Sequence, residues 1–134
     1  PRPGPRRLAV GMVSTLTAWS DTDAYLADRF VGPDPELEAA LSAQREAGLP
    51  EIEVAPVAGK LLNLLTRISG ARRVLEIGTL GGYSTIWLAL AVGPEGRVVT
   101  VEAEAGNAAV ARASIDAAGV GVENLLTVFN FGQL

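Results

Sequence analysis

The fold of this chain is decided by residues 74–84, which read Val74-Leu75-Glu76-Ile77-Gly78-Thr79-Leu80-Gly81-Gly82-Tyr83-Ser84. Arg73 to Ile77 is a short apolar run, typical of a buried parallel strand. Gly78 to Gly82 is a glycine-rich turn, and Ser84 can cap a helix that continues to about Val92. We therefore predict a strand that leads through a tight turn directly into a helix.

Downstream of this unit the same alternation repeats. Arg97 to Val101 is a β-branched run that ends at Glu102, and an alanine-rich helix is predicted from Glu104 to Ala118. Leu125 to Phe129 is predicted as a third strand. The order strand, helix, strand, helix, strand indicates an α/β fold with a Rossmann-like, doubly wound parallel sheet. Such sheets have about six strands, so we expect the sheet of this 134-residue chain to be incomplete.

Upstream residues are predicted to form an arm and helices. Residues 1–18 are interpreted as a flexible N-terminal arm, and residues 19–56 as a helical cap with one helix from Ser20 or Asp21 to Phe30 and another from Pro35 to about Ala47. Residues 57–134 would form the nucleotide-binding half domain, opening with a helix from Val57 to Ser69.

Several side chains of these helices are predicted to pack inside the protein. Trp19 and Trp87 are interpreted as packing anchors, and Lys60 as a solvated helix residue. The predicted apolar faces consist of Tyr25, Leu26 and Phe30 on the first helix, and of Leu61, Leu62, Leu64, Leu65 and Ile68 on the third.

Composition excludes several kinds of chemistry. The chain has no Cys and no His, which rules out thiol nucleophiles, the usual zinc sites and Ser-His-Asp triads. A metal would have to be a hard ion such as Mg²⁺, held by oxygen ligands. The net charge of −4 makes nucleic acid an unexpected partner. The apolar run from Leu8 to Trp19 is too short to span a bilayer, so no membrane partner is expected.

A nucleotide site is predicted at the carboxyl ends of the strands. Ligands of doubly wound sheets bind there, and Glu102 follows Gly82 by 20 residues, an offset suited to a carboxylate that accepts ribose hydroxyls. The dinucleotide pattern G-x-G-x-x-G fails at Leu80 and Tyr83. The start of the helix at Ser84 therefore suits one small anion, such as the carboxylate of S-adenosylmethionine, better than a pyrophosphate.

Glu76 is the unusual residue of the first strand, because it is a carboxylate near the end of an apolar run. Burial of such a charge is costly without a partner. Two partners are open at this point, a cationic amine of the ligand and the backbone amides of the turn.

The segment from Leu75 to Ser84 resembles the S-adenosylmethionine motif of the cation-dependent O-methyltransferases, the caffeoyl-CoA and catechol O-methyltransferase group. Bacterial members are also similar at Ala47-Gly48-Leu49-Pro50, Gly59-Lys60-Leu61-Leu62 and Gly70-Ala71-Arg72-Arg73-Val74. The resemblance extends from about Trp19 to Val122.

This resemblance implies a cofactor site and a reaction. Glu102 would take the ribose hydroxyls and Val54 would touch the cofactor through its backbone, while the methionine end would be lined by Glu76, Gly78, Thr79, Tyr83 and Ser84. The family methylates a hydroxyl of a small phenolic acceptor, usually with Mg²⁺ and usually as a homodimer, and a cytoplasmic location is expected.

The resemblance assigns no catalytic or metal-binding residue to this chain. The metal-binding acids and the catalytic lysine of the family lie on strands after the third, and the match decays after Gly119. We therefore expect the 134-residue chain alone to be inactive and to bind the cofactor weakly.

Three functions remain open at this point. The first is an O-methyltransferase represented incompletely, and the second is a truncated, non-catalytic module that binds S-adenosylmethionine or dimerises. The third is a nicotinamide-dependent oxidoreductase, which Leu80 and Tyr83 disfavour.

Overall fold

The computed structural model describes residues 15–120, which contain five helices and two strands. In chain order these are α1 (Thr15–Phe30), α2 (Pro35–Glu46), α3 (Pro56–Ile68), β1 (Arg73–Ile77), α4 (Tyr83–Val92), β2 (Arg97–Val101) and α5 (Ala105–Ala117). The predicted strand at Leu125 to Phe129 lies outside the described residues.

The two strands form a parallel pair connected by α4. The register pairs Arg73 with Arg97 at one end and Ile77 with Val101 at the other. A parallel pair needs a crossover, and α4 supplies it. The predicted β1-α4-β2 unit is therefore confirmed, with both strands at their predicted residues.

The sheet has one covered face and one open face. Alternate residues of a strand point to opposite sides, and Val98 and Thr100 of β2 are almost completely buried on the side of the helices. On the other side, Leu75 is 66% exposed and Ile77 is 83% exposed. The prediction of a buried strand is thus wrong for the side of β1 that carries Leu75 and Ile77, because the described helices cover only the other side.

The helix α4 lies at the centre of the described core. Its buried residues surround its whole circumference, as expected for a helix that is apolar all round; they are Tyr83, Thr85, Ile86, Trp87, Leu88, Ala89 and Val92. Trp87 is a packing anchor, as predicted. Its ring lies so close to Gly59 of α3 that a Cβ there would come within 2.4 Å of ring atoms.

The helix α3 faces α4 with its small and polar residues instead of its leucines. Gly59, Asn63 and Thr66 are buried, and Asn63 Nδ2 donates a hydrogen bond of 2.9 Å to the carbonyl oxygen of Trp87. The predicted apolar face of α3 is therefore not a buried face within residues 15–120. Four of its five members are exposed, namely Leu61, Leu64, Leu65 and Ile68.

The first helix differs most from its prediction. It begins at Thr15, because residues 15–19 contain no glycine or proline to stop it. Trp19 is 70% exposed, so its interpretation as a packing anchor is wrong. Tyr25 and Phe30 are also exposed, with Arg29 near the Tyr25 ring, so the predicted packing face of α1 is not buried by the described residues.

The predicted start of α2, which a capping residue and a proline mark in the sequence, agrees with the structure. Asp34 caps α2 by accepting a hydrogen bond from the Leu37 amide at 3.1 Å, and Pro35 occupies the first helical position. The predicted cap of α4 was wrong, since Gly82 is the N-cap residue and Ser84 lies inside the first turn.

Lys60 is half-buried, with its ammonium 5.7 Å from the centre of the Trp87 ring.

Candidate nucleotide-binding site

A cavity of about 320 Å³ lies at the carboxyl ends of β1 and β2, where a doubly wound sheet places its ligands. This volume falls within the range of small-molecule sites. The residues around it are Gln44, Ile52, Glu53, Val54, Gly78, Thr79, Leu80, Tyr83, Ser84, Glu102 and Asn107. Six of the seven residues predicted for the cofactor lie in this wall, and Glu76 is the exception.

The glycine-rich turn that connects β1 to α4 contains three residues in the left-handed region, namely Gly78, Leu80 with φ of +52°, and Gly82. Gly78 has φ of +90° and Gly82 has φ of +88°, which only glycine adopts readily. A Cβ at Gly78 would meet no atom within 4 Å, so open space lies beside this residue in the cavity wall. A Cβ at Gly82 would come within 3.2 Å of the Ala111 backbone, which shows how closely the turn packs on α5. Gly78 thus allows a ligand close to the backbone.

Glu102 binds the turn to the end of β2. One carboxylate oxygen accepts hydrogen bonds from the amides of Thr79 at 3.2 Å and Leu80 at 2.8 Å. The other accepts from the amides of Ala103 at 2.8 Å and Glu104 at 2.9 Å. Burial alone would raise the pKa of this carboxyl, but the four amides together hold its pKa below the ordinary value.

These bonds decide how Glu102 could meet a ribose. A carboxylate has about four acceptor positions, and backbone amides already occupy four in this structure. A ribose hydroxyl in the cavity would therefore share an oxygen with an amide or replace one. The same network fixes the turn and the wall of the cavity in one geometry.

Glu76 lies beside the cavity but does not line it. Its half-buried carboxylate accepts hydrogen bonds from Ser84 Oγ at 2.6 Å and Thr85 Oγ1 at 2.5 Å. The sequence did not indicate these side-chain hydroxyls of the first turn of α4 as partners of Glu76, and its contact with the cofactor stays a prediction. Glu76 is therefore placed to anchor this turn to β1.

Tyr83 forms a wall between the candidate site and a second cavity of about 350 Å³, which lies between α1 and α2. Burial raises the pKa of its phenol, and the negative charges of Asp34 and Glu53 add to that shift while Trp87 opposes it. Tyr83 therefore stays neutral at physiological pH. The second cavity is slightly larger, but the turn and Glu102 border only the first, which is why we assign the site there.

Sequence reasoning missed five residues of the wall: Gln44, Ile52, Glu53, Leu80 and Asn107. Leu80 and Asn107 lie next to predicted residues or elements, so proximity in sequence could have found them. Gln44 carries no local signal, because only the packing of α2 on the turn brings it to the cavity. Thr79 also donates or accepts a hydrogen bond of 2.6 Å with the buried Thr100 hydroxyl.

Comparison with known proteins identifies the family. The profile of a family described as O-methyltransferase matches residues 35–128. The chain belongs to this family. A catechol O-methyltransferase of Mycobacterium tuberculosis is 56% identical over 100 residues, which cover 75% of this chain and 46% of that protein.

Solved structures show the same fold. An O-methyltransferase from Bacillus cereus in complex with SAH matches with a TM-score of 0.80 at 43% identity, covering 86% of this chain and 51% of that one. The O-methyltransferase TomG from Streptomyces achromogenes, in complex with SAM, matches with a TM-score of 0.74 at 45% identity, covering 84% and 49%. These likenesses confirm the predicted α/β, Rossmann-like fold, and the chain spans about half the length of the relatives it matches.

Proposed function

We propose that the cavity at the ends of β1 and β2 binds S-adenosylmethionine. The protein would transfer its methyl group to a hydroxyl of a small phenolic or catechol-like acceptor. The observation that carries this proposal is the convergence of the open turn at Gly78, the first turn of α4 and Glu102 on one cavity. The names of the relatives, which include catechol O-methyltransferase, support the reaction.

The residues of the wall fit the cofactor. The first turn of α4 has unpaired amides that favour an anion, and Ser84 lies there, so this turn would hold the carboxylate of the methionine part. Glu102, at the end of β2, would face the ribose hydroxyls. Gly78, Thr79 and Tyr83 would line the space between them, with Val54 on the opposite wall.

The cofactor and the wall of the cavity would have different roles in such a reaction. The cofactor supplies a methyl group on a positively charged sulfur. Thr79 and Glu102 keep the turn in place through their mutual hydrogen bond. Orientation of the cofactor by this rigid wall is the contribution that the described residues make to catalysis.

The described residues do not fit the divalent cation of the family. No group of three or more carboxylates within residues 15–120 could hold a metal ion. We therefore derive no step through Mg²⁺ and assign no catalytic residue, and a requirement for the metal stays a prediction.

Calorimetric titration tests the binding proposal. We expect the purified chain to bind S-adenosylhomocysteine and not NAD. Methyl transfer to catechol with and without Mg²⁺ is measured separately, and the 134-residue chain alone is expected to show none. Binding of NAD in preference to S-adenosylhomocysteine would contradict the assignment.

A matched pair of variants places the ligand. Gly78→Ala adds a methyl group to the open space in the wall and should weaken S-adenosylhomocysteine binding about tenfold. Gly70→Ala is the control, because Gly70 has φ of +67° and equally open surroundings but lies away from the cavity. Both variants should lose similar stability, and equal effects on binding would place the ligand elsewhere.

Two finer predictions belong to this proposal. We infer a homodimer, which the exposed leucine face of α3 supports, and sedimentation would test it. A cytoplasmic location is the other. None of the helices within residues 15–120 is long and apolar enough to span a membrane.

A further inference from the structure

The wall opposite the glycine-rich turn contains a carboxylate that the proposed cofactor contacts do not use. Glu53 lies just before Val54 and is half-buried in the same cavity. Its Oε2 atom accepts a hydrogen bond of 2.7 Å from Gln44 Nε2. Its other oxygen has no hydrogen-bond partner among residues 15–120, so it is available to a ligand.

Gln44 holds this carboxylate in a fixed position. Its side chain is only 2% exposed, and a Cβ at Gly81 would come within 2.5 Å of Gln44 Oε1. The amide of Gln44 is therefore wedged between α2 and the glycine-rich turn. The carboxylate of Glu53 needs a donor, so Nε2 must point to it, and Oε1 remains buried without a partner in the described part of the chain.

The charge of the cavity is unbalanced at Glu53. The other carboxylate of the wall, Glu102, accepts four backbone amides, which offset its charge. The described residues that line the cavity include no lysine or arginine. A positively charged ligand would therefore gain more from Glu53 than a neutral one would.

We propose that Glu53, positioned by Gln44, makes the cavity prefer the positively charged sulfonium cofactor over its neutral thioether product. This inference rests on the proposed function, since it names a specificity residue of the same site. S-adenosylmethionine differs from S-adenosylhomocysteine by the methyl group on sulfur and the positive charge that it brings, and the two share all other groups. Selection between them by charge would help the product to leave after the methyl group has been transferred.

Titration of both ligands into three proteins tests this preference. In Glu53→Gln, binding of S-adenosylmethionine should weaken about three- to fivefold relative to the wild type, as expected for a half-exposed ion pair. Binding of S-adenosylhomocysteine should change less than twofold, because its sulfur is uncharged and the proposed contact of Glu53 is with the sulfonium. Glu51→Gln is the control, since Glu51 is exposed, carries the same charge in the same segment and does not line the cavity.

The outcomes separate this inference from the proposed function. If the wild type binds both ligands and Glu53→Gln leaves their affinity ratio unchanged, the role of Glu53 is wrong while cofactor binding stands. If Glu51→Gln lowers the preference for S-adenosylmethionine over S-adenosylhomocysteine as much as Glu53→Gln does, the preference comes from the overall charge of the protein. The specific role of Glu53 is then also wrong. If the wild type binds neither ligand, both proposals fall.

The positioning role of Gln44 needs its own variant. Gln44→Met keeps the volume of the side chain but removes the hydrogen bond to Glu53. The affinity ratio of the two ligands should move part of the way towards that of Glu53→Gln, at an unchanged thermal midpoint. A lower midpoint with an unchanged ratio would show that Gln44 only supports the packing of α2.

Discussion

The two faces of the β1-β2 pair have opposite characters. On the side of the helices, Val98 is 1% exposed and Thr100 is completely buried, and the Thr100 hydroxyl shares a hydrogen bond of 2.6 Å with that of Thr79. On the other side, Leu75 and Ile77 are 66% and 83% exposed. The leucine face of α3 is similarly uncovered by the described residues. A strand that looks uniformly apolar in sequence thus contributes to a core on one side only.

This difference shows where the stability of the described unit originates. Burial of apolar area contributes about 25 cal/mol per Å², and it is concentrated around α4. The carboxylates Glu76 and Glu102 add hydrogen bonds on the same side, at the end of the sheet where the candidate site lies. The open faces contribute little to the stability of this unit. They carry enough exposed apolar side chains to serve as interaction surfaces.

Truncation of one isoleucine on each side gives the largest expected contrast. Ile86 of α4 is 0% exposed, and Ile86→Ala should lower the free energy of unfolding by about 2–5 kcal/mol, because it leaves a cavity in the core. Ile77→Ala removes the same atoms from the open face and should change it by less than about 0.5 kcal/mol. Urea denaturation followed by circular dichroism measures both.

The same two variants test whether the outer face of β1 is exposed in solution. If Ile77→Ala were as destabilising as Ile86→Ala, the outer face of β1 would be covered in solution. Repeating the measurement at several protein concentrations would then show whether association covers it, since that stabilisation depends on concentration.

Glu102→Gln tests the polar end of the buried side. A glutamine oxygen can replace one carboxylate oxygen, but its NH₂ group would face two backbone amides. We expect a loss of about 2 kcal/mol at neutral pH, since donors are left unpaired near a buried site. Thermal denaturation at pH 7 measures this loss.

The pH dependence gives the same test a second readout. The pKa of Glu102 is lowered in the folded protein, so its stabilisation is present above its ordinary pKa and is lost as the pH falls through the folded value. The wild type should therefore lose stability on acidification, and Glu102→Gln should lose less. If the two proteins lost the same stability on acidification, the hydrogen bonds from the four amides would not depend on the charge of Glu102.

The parts of the fold that could be predicted from the sequence carry their signal locally. A β-branched run specifies β2, a proline after Asp34 specifies the start of α2, and glycines specify the turn at Gly78. The offset from Gly82 to Glu102 also follows from the length of one helix and one strand. These features depend on residues close in the chain, so a single sequence is enough to find them.

The remaining features depend on packing between distant segments. Nothing near Leu61 or Trp19 in the chain shows that its side chain is exposed, because that depends on which face of each helix packs against its neighbours. The sequence also did not indicate the hydroxyls, eight and nine residues away, that donate hydrogen bonds to Glu76. Gln44 donates to Glu53 and lies against Gly81 of the turn, two contacts that no local pattern indicates.

Thr85→Val gives the smallest expected loss among the variants on the buried side and tests whether Glu76 belongs to that side. Thr85 is buried, and its hydroxyl is one of two that the Glu76 carboxylate accepts. Valine keeps the shape but removes the donor, so the free energy of unfolding should fall by about 1 kcal/mol. Thr22→Val is the control, because the Thr22 hydroxyl bonds to the Ala18 carbonyl on the exposed surface of α1. Equal changes in the two variants would mean that water can replace the hydroxyl at Glu76, and that this residue belongs with the open face of β1 instead.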